Sequence, residues 1–305
     1  MAFARGKIIL LGEHGVVYGR PALAAAIERG VSATATAADA ARLDIEPWGV
    51  KIDLGSDTRG DAAALASAFA ALLDTYGGAR PRVHVRADVG LPAGAGLGCS
   101  AALGVAVLRA IDDAVGLARG DEETADVSLA WERVFHGNPS GVDSTMAACG
   151  GIAVFRKGTA LERVRARRPI ALVVGNSDEP SATKPMVESV AHQHQRAPAR
   201  VDKTFDAMGV LVDNGRLAVE TGDLAELGRL MDLDQALLNS LMVSTVRLEE
   251  MCSAARAAGA LGAKLTGAGG GGCMIALVAD AEIGGRVLAA LHALGREALL
   301  TEVGA

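Results

Sequence analysis

The chain has 305 residues, room for two domains of ordinary size, with a formal net charge of −6 and only 3% aromatic residues. An acidic balance repels a phosphate backbone and a shortage of aromatics leaves single strands nothing to stack on, so no nucleic-acid partner is expected. Charged residues interrupt every apolar stretch before membrane-spanning length, and KIILL near the start is too short for a signal-peptide core, so the reading is a soluble, cytoplasmic protein without membrane association.

The first forty residues alternate short apolar runs with turns (GKIILL, GEHGVVYG, PALAAAI, VSATATA) and read as an opening antiparallel sheet. Residues 61–76 begin at Asp61, a good cap, carry apolar residues at helical spacing and stop at Gly77-Gly78. After the strand-like RVHVRADV comes the loop GLPAGAGLG, which runs straight into a helical stretch ending at Gly116. A second helix spans Asp121 to Phe135 and is stopped by HGNPSG. Two strand-like runs separated by an arginine-rich turn occupy 152–175, and the period is helical from Pro185 to about Val219. Two more helices, DLAELGRLMDLDQALLNSL and TVRLEEMCSAARAAG, meet at MVST. The strand pair GAKLTG and GCMIALVAD brackets a second glycine loop, and a last helix precedes LLTEV. Strand runs and helix runs are clustered, which places the chain in the α+β class with two lobes. The boundary is expected near residue 165, giving domains 1–165 and 166–305.

The glycine count, 38, asks for an explanation in backbone geometry. In GLPAGAGLGCSAA, residues 90–102, Gly94, Gly96 and Gly98 let the backbone turn its N–H groups inward just before a helix, which makes an anion-binding nest at the positive end of that helix. No GK[ST] follows, so this is not a Walker A loop. The alternative is a tight strand-to-helix turn. The second loop, GAGGGGC at 267–273, contains GxGxxG, but a strand-like CMIALV follows where a dinucleotide-binding fingerprint needs a helix. It reads as a backbone surface packed against another loop. Cys99, Cys149, Cys252 and Cys273 form no CxxC pair and no zinc spacing, and read as reduced thiols that pack as small hydrophobes.

Together GKIILLGEHGVVYG, GLPAGAGLGCSAA and KLTGAGGGGCMIAL, in this order and spacing, resemble the GHMP kinases. The resemblance implies a two-lobed fold, with a left-handed βαβ unit in the N-terminal lobe and a ferredoxin-like C-terminal lobe. ERVFHGNPSGVDST at 132–145, MDLDQALLNSLMVST at 231–245 and NSDEPSATKPMV at 176–187 resemble the mevalonate kinase branch. That implies transfer of the ATP γ-phosphate to the 5-hydroxyl of mevalonate, with ATP and Mg²⁺ as cofactors and a homodimer as the assembly if the chain self-associates. The alternatives kept are phosphomevalonate kinase or another small-alcohol kinase of the same family, and a catalytically silent ATP-binding regulator.

Phosphoryl transfer needs a phosphate cradle, Mg²⁺, a cation for developing charge and a group to position the attacking hydroxyl. The resemblance assigns ATP binding to Pro92, Gly94, Ala95, Gly96, Leu97, Gly98, Cys99, Ser100 and Ser140, with Cys99 standing where the family usually has serine. It assigns the metal to Ser100 and Glu132, catalysis to Lys7 and Asp143, and the acceptor pocket to Glu13, His14 and Asp143. Each has a bland counterpart: Ser100 as a helix N-cap, Glu132 as a solvated helical acid, Lys7 as a surface lysine, His14 as a structural histidine. Ser140 and Asp143 also have the S-x-x-D spacing of a capping box.

Overall fold

The computed structural model of the protein describes residues 1–54, 60–137, 139–181 and 183–304. By packing, the chain forms two compact units that are not consecutive halves. Unit one comprises Met1–Lys7, Arg29–Ala93 and Gly98–Gly150; unit two comprises Ile8–Glu28, Gly94–Leu97 and Gly151–Ala305. The division at 165 is one of chain order; packing partitions the chain differently because its first two strands, β1 (Ala2–Leu11) and β2 (Ala22–Ala37), each contribute to both units.

In unit one the second half of β2 pairs antiparallel with β5 (Val83–Val89), from Val31 opposite Val89 to Ala37 opposite Val83. β3 (Arg42–Ile45) lies parallel to β5 and forms a hairpin with β4 (Val50–Asp53). These two four-residue strands were not among the expected elements; each offers only two inward positions, Leu43 and Ile45 on β3 and Ile52 with Val50 on β4. Helix α1 (Asp61–Asp74) starts behind Gly60, and the Asp61 side chain, expected as a cap, lies outside the described residues. Helices α2 (Cys99–Val115), α3 (Asp121–His136) and α4 (Val142–Cys149) pack on one another. From Ala101 to Leu108 every residue of α2 is buried, because its small and aliphatic side chains leave no polar face to show to water.

In unit two the first residues of β2, Ala22–Ala25, pair antiparallel with β6 (Ile152–Phe155), which pairs with β7 (Glu162–Val164). β7 falls in the basic stretch read from sequence as a turn: at three residues it is too short to display an alternation. A second sheet has the order β11-β8-β10-β9, all antiparallel, built from β8 (Ile170–Asn176), β9 (Gly262–Leu265), β10 (Cys273–Leu277) and β11 (Ala298–Val303). In chain order this is 4-1-3-2, the ferredoxin-like arrangement expected for the C-terminal lobe. Its first crossover is expanded into α5 (Thr183–Arg196), α6 (Pro198–Thr221), α7 (Leu224–Ser240) and α8 (Val246–Ala257); α9 (Ala281–Ala293) makes the second. The stretch of helical period from Pro185 to about Val219 is divided between two helices. Pro198 lacks the N–H to continue a helix and drives Ala197 out of the helical region (φ −145°, ψ 63°), so α5 ends and α6 starts with proline at its first position. Among the described residues no helix is long and apolar enough to cross a membrane.

Two glycines seat α7 on β9. A Cβ at Gly262 would stand 2.1 Å from the Gly228 carbonyl oxygen, and one at Gly228 only 2.4 Å from the Leu261 oxygen. Gly228→Ala should gain ~1 kcal/mol of helix propensity. Overpacking against a backbone atom, which no rotamer change relieves, costs about 3 kcal/mol. The expected result is a net loss of about 2 kcal/mol in urea unfolding; an unchanged midpoint would mean that α7 and β9 can move apart without cost.

Candidate active site

Lys7 and Asp143 meet in unit one. Strand alternation along β1 exposes Phe3 and Arg5 and would expose Lys7, yet Lys7 is only 3% exposed. Its stem is covered by the backbone at Gly98, where a Cβ would lie 2.9 Å from Lys7 Cγ and where φ is +70°. Only glycine satisfies both conditions. The ammonium is held 3.2 Å from Asp143 Oδ1. Asp143 lies in the first turn of α4, where the helix dipole favours a negative charge, and its side chain is 35% exposed. The capping box does not form. The N-cap of α4 is Gly141 with no side-chain cap, and Ser140 Oγ accepts only a long 3.4 Å bond from the Val142 amide. The Asp143 carboxylate is therefore free of a helix-capping duty and is paired with a buried cation.

Ser100 and Glu132 meet in the same unit. Gly104 of α2 makes room for the Trp131 ring, since a Cβ there would stand 2.7 Å from Trp131 Cγ. This seats the fully buried ring one turn below Ser100, and Trp131 Nε1–H donates to Ser100 Oγ at 3.3 Å. Ser100 Oγ in turn donates to Glu132 Oε1 at 2.7 Å, and His136 Nε2 lies 3.6 Å from Glu132 Oε2. Burial pushes the Glu132 carboxyl up to about 7, against the pull of the Ser100 hydroxyl; Asp143 raises it further and Lys7 lowers it. Neither bland reading holds: Ser100 is not the cap of α2, and Glu132, 3% exposed, is not solvated.

This donor set fits a magnesium ion. With its proton on Glu132 and one lone pair used by Trp131, the Ser100 hydroxyl keeps a second lone pair, and a buried carboxyl half-protonated near neutrality is one a dication would hold ionised. Among the described residues no group of three or more His, Cys, Asp or Glu is disposed as a complete metal cage. Partial protein coordination is the habit of magnesium bound together with phosphates.

The first glycine loop has the features of a backbone cradle. Gly94, Gly96 and Gly98 all have positive φ (+67°, +78° and +70°). Ala95, Leu97 and Cys99 are buried, so the loop offers a ligand backbone rather than side chains. Pro92 is half-buried and Gly94 exposed. The N-cap of α2 is Gly98 with no side-chain cap, as at α1, α3, α4 and α6, so no capping side chain competes with an anion for its first amides. Cys99, buried with its thiol pushed up to about 12, is an inert packing residue, in keeping with the four free cysteines. The second loop packs as expected against the first: in unit two the Cys273 amide donates to Ala95 O at 3.0 Å, and a Cβ at Gly267 would meet Gly96 O at 3.2 Å.

Glu13 and His14 lie in unit two and are buried. His14 has φ +60° and ψ −45°, a strained conformation for a residue with a side chain. Its Nε2 is 2.9 Å from Ala268 O, and because a carbonyl only accepts, Nε2 carries the hydrogen. Burial pulls the His14 pKa down, so the ring is neutral and Nδ1 is an unprotonated acceptor. The Glu13 carboxylate is bonded to Lys264 of β9, which also donates to Leu265 O at 2.8 Å and lies 3.4 Å from Asp234 Oδ2 of α7. Trp131, Lys264 and Asp234 were not expected as site residues. All three stand inside or beside the motifs quoted above, but an isolated lysine or tryptophan in a buried element carries no periodic signal of its partner.

Models of the GHMP kinase N-terminal domain and of the GHMP kinase C-terminal region match residues 63–151 and 216–297. The chain is 37% identical over 296 residues to the mevalonate kinase of Pyrococcus horikoshii, covering 91% of this chain and 88% of that one. It is 35% identical to that of Pyrococcus furiosus, covering 99% and 96%. The crystal structure of L. major mevalonate kinase in complex with R-mevalonate superposes with a TM-score of 0.86 at 28% identity, covering 99% of this chain and 94% of that one. The chain belongs to the GHMP kinase family.

Proposed function

We propose that this chain is an ATP-dependent mevalonate kinase that transfers the γ-phosphate of ATP to the 5-hydroxyl of mevalonate. The observation that carries the reading is the Lys7 to Asp143 pair at 3.2 Å in the same unit as the Ser100 to Glu132 pair, in a chain 35% identical to a mevalonate kinase over 99% of its length. Mevalonate as acceptor is also supported by the likeness to the R-mevalonate complex.

Asp143, exposed enough to be reached, orients the primary hydroxyl and takes its proton as the oxygen attacks the γ-phosphorus. Lys7 lies beside that carboxylate, where a fixed cation stabilises both the developing alkoxide and the charge on the transferring group. The bare amino end of α2 and the backbone of Gly94, Ala95, Gly96, Leu97 and Gly98 hold the phosphates, with Pro92, Cys99 and Ser140 shaping the loop and its surroundings. Ser100 and Glu132 would hold the magnesium ion, which would neutralise charge on the triphosphate. His14 presents its bare Nδ1 as an acceptor for a substrate hydroxyl. The products are the phosphate ester and ADP, with the proton left on Asp143.

A coupled ADP-release assay over mevalonate, phosphomevalonate, homoserine, galactose and shikimate tests the assignment. Mevalonate should give the highest kcat/KM, and preference for any other member would overturn it. For the metal, Ser100→Ala and Glu132→Gln should each raise the Mg²⁺ concentration for half-maximal rate by about ten- to hundredfold. Unchanged magnesium titrations in both variants would remove these residues from the metal site.

A further inference from the structure

Three buried ionisable side chains of unit two, Glu13, Asp234 and Lys264, have no step of their own in the transfer, although Glu13 was expected in the acceptor pocket. One lysine faces two carboxyl groups. Its ammonium donates to Glu13 Oε1, and to Leu265 O at 2.8 Å, and lies 3.4 Å from Asp234 Oδ2, to which the Gly12 amide also donates at 3.3 Å. That leaves the other oxygen of each acid, Glu13 Oε2 and Asp234 Oδ1, buried without a partner. Glu13 and Asp234 lie within side-chain hydrogen-bonding reach of each other, and leaving both of these buried acceptors unpaired would cost more than placing one proton between them, since a protonated carboxyl becomes a donor and satisfies both at once.

We propose that Glu13 and Asp234 share one proton between Glu13 Oε2 and Asp234 Oδ1, and that this pair, clamped by Lys264, is the positioning unit that holds the strained His14 and so sets acceptor affinity. The proposal rests on the reading of His14 as an acceptor-side residue. It makes Glu13 a residue that acts through its neighbour rather than by contact with substrate. Glu13 directly precedes His14, and Asp234 holds the amide of Gly12 on the other side, so the pair brackets the turn. The ring of His14 is fastened by Ala268 O, so displacement of the turn would pull on that bond.

The groups facing Glu13 are Lys264 from β9 and Asp234 from α7, with His14 beside it on its own turn. Burial pushes Glu13 up to about 8; Lys264 opposes this, and Asp234 adds to it through its charge and its hydrogen bond. A folded-state pKa above the unfolded value of 4.5 means that the native protein holds an extra proton between about pH 4.5 and 8. The stabilisation is therefore complete below that window and is lost as pH rises through it.

Glu13→Gln tests this, because the amide copies a protonated acid: its carbonyl accepts from Lys264 and its NH₂ donates to Asp234. Between pH 5 and 8 the Tm of the wild type should fall relative to that of the Gln variant, whose curve lacks this slope. Parallel curves would overturn the shared proton. Above pH 8 the mevalonate KM of the wild type should rise about tenfold per pH unit, as for loss of one required proton. The variant's KM should stay flat over the same range, and in the wild type the change with pH should fall on KM rather than on kcat. A stability difference without the KM difference would overturn the positioning role while leaving the proton in place. Should Glu13→Gln fail to fold, infrared titration of the wild type decides: a protonated-carboxyl stretch at pH 6.5 that is lost by pH 9.5 is expected, and its absence would refute the proposal. The Tm and infrared arms require no knowledge of the acceptor, so their result is independent of the substrate panel.

Discussion

Asp143→Asn is expected to lower kcat by at least about a hundredfold, within the 10²–10⁴ range for loss of a general base, while ATP and mevalonate still bind. Asparagine keeps the shape and an acceptor oxygen for Lys7 but has no ionisable group. The stability cost is expected to be small for two reasons visible in the fold. Asp143 caps nothing, so the ~1 kcal/mol of a lost N-cap is not at stake. Its carboxylate is 35% exposed, so the change falls short of the ~3–5 kcal/mol of breaking a fully buried pair. Stopped-flow or coupled assays with a thermal melt on the same sample separate the two readings. A variant with near wild-type kcat and a lowered Tm would make Asp143 a structural residue and send the search for the base elsewhere.

How much of this was readable from the chain depends on what each feature needs. Helices with regular apolar spacing and glycine near their ends, such as α1 and α2, lie where the periodicity put them, because both signals are written locally; α2 stops at Gly116 in the left-handed region (φ +72°). The β3–β4 hairpin and β7 were not read, since strands of three or four residues hold too few alternations to register and are fixed by pairing with distant segments. The break at Pro198 was written in the sequence and overrides an otherwise continuous helical pattern.

The site divides in the same way. Gly94, Gly96 and Gly98 are legible because a run of glycines before a helix has a local reason. Lys7 and Asp143 are 136 positions apart and only the family pattern joins them; no spacing rule would. Trp131 is the instructive case. Its role as a prop for Ser100 depends on Gly104, a glycine in mid-helix whose reason is a neighbouring helix rather than a turn. Lys264 and Asp234 were hidden for a further reason: in sequence they look like ordinary polar residues of surface elements, and only burial turns them into a charge cluster.

Lys7→Met is expected to lower kcat by about 10²–10³, the size of effect seen when one preorganised donor to a developing charge is removed, with the ATP KM nearly unchanged. Methionine suits the site, because the Lys7 stem already lies against the Gly98 backbone and a straight apolar chain can follow the same path. What the substitution removes is the charge 3.2 Å from Asp143. Two accounts of that charge differ in what they predict for the double variant. If Lys7 and Asp143 act as one unit, ionising and steering the same hydroxyl, then Lys7→Met with Asp143→Asn should be little slower than Asp143→Asn alone, as for residues whose effects are strongly non-additive. If Lys7 acts instead on the phosphates, independently of the acid, the two losses should multiply to about 10⁴ or more. The 3.2 Å pairing favours the first outcome. A large rise in the ATP KM with kcat preserved would refute both, and would reassign Lys7 to ground-state binding of the nucleotide.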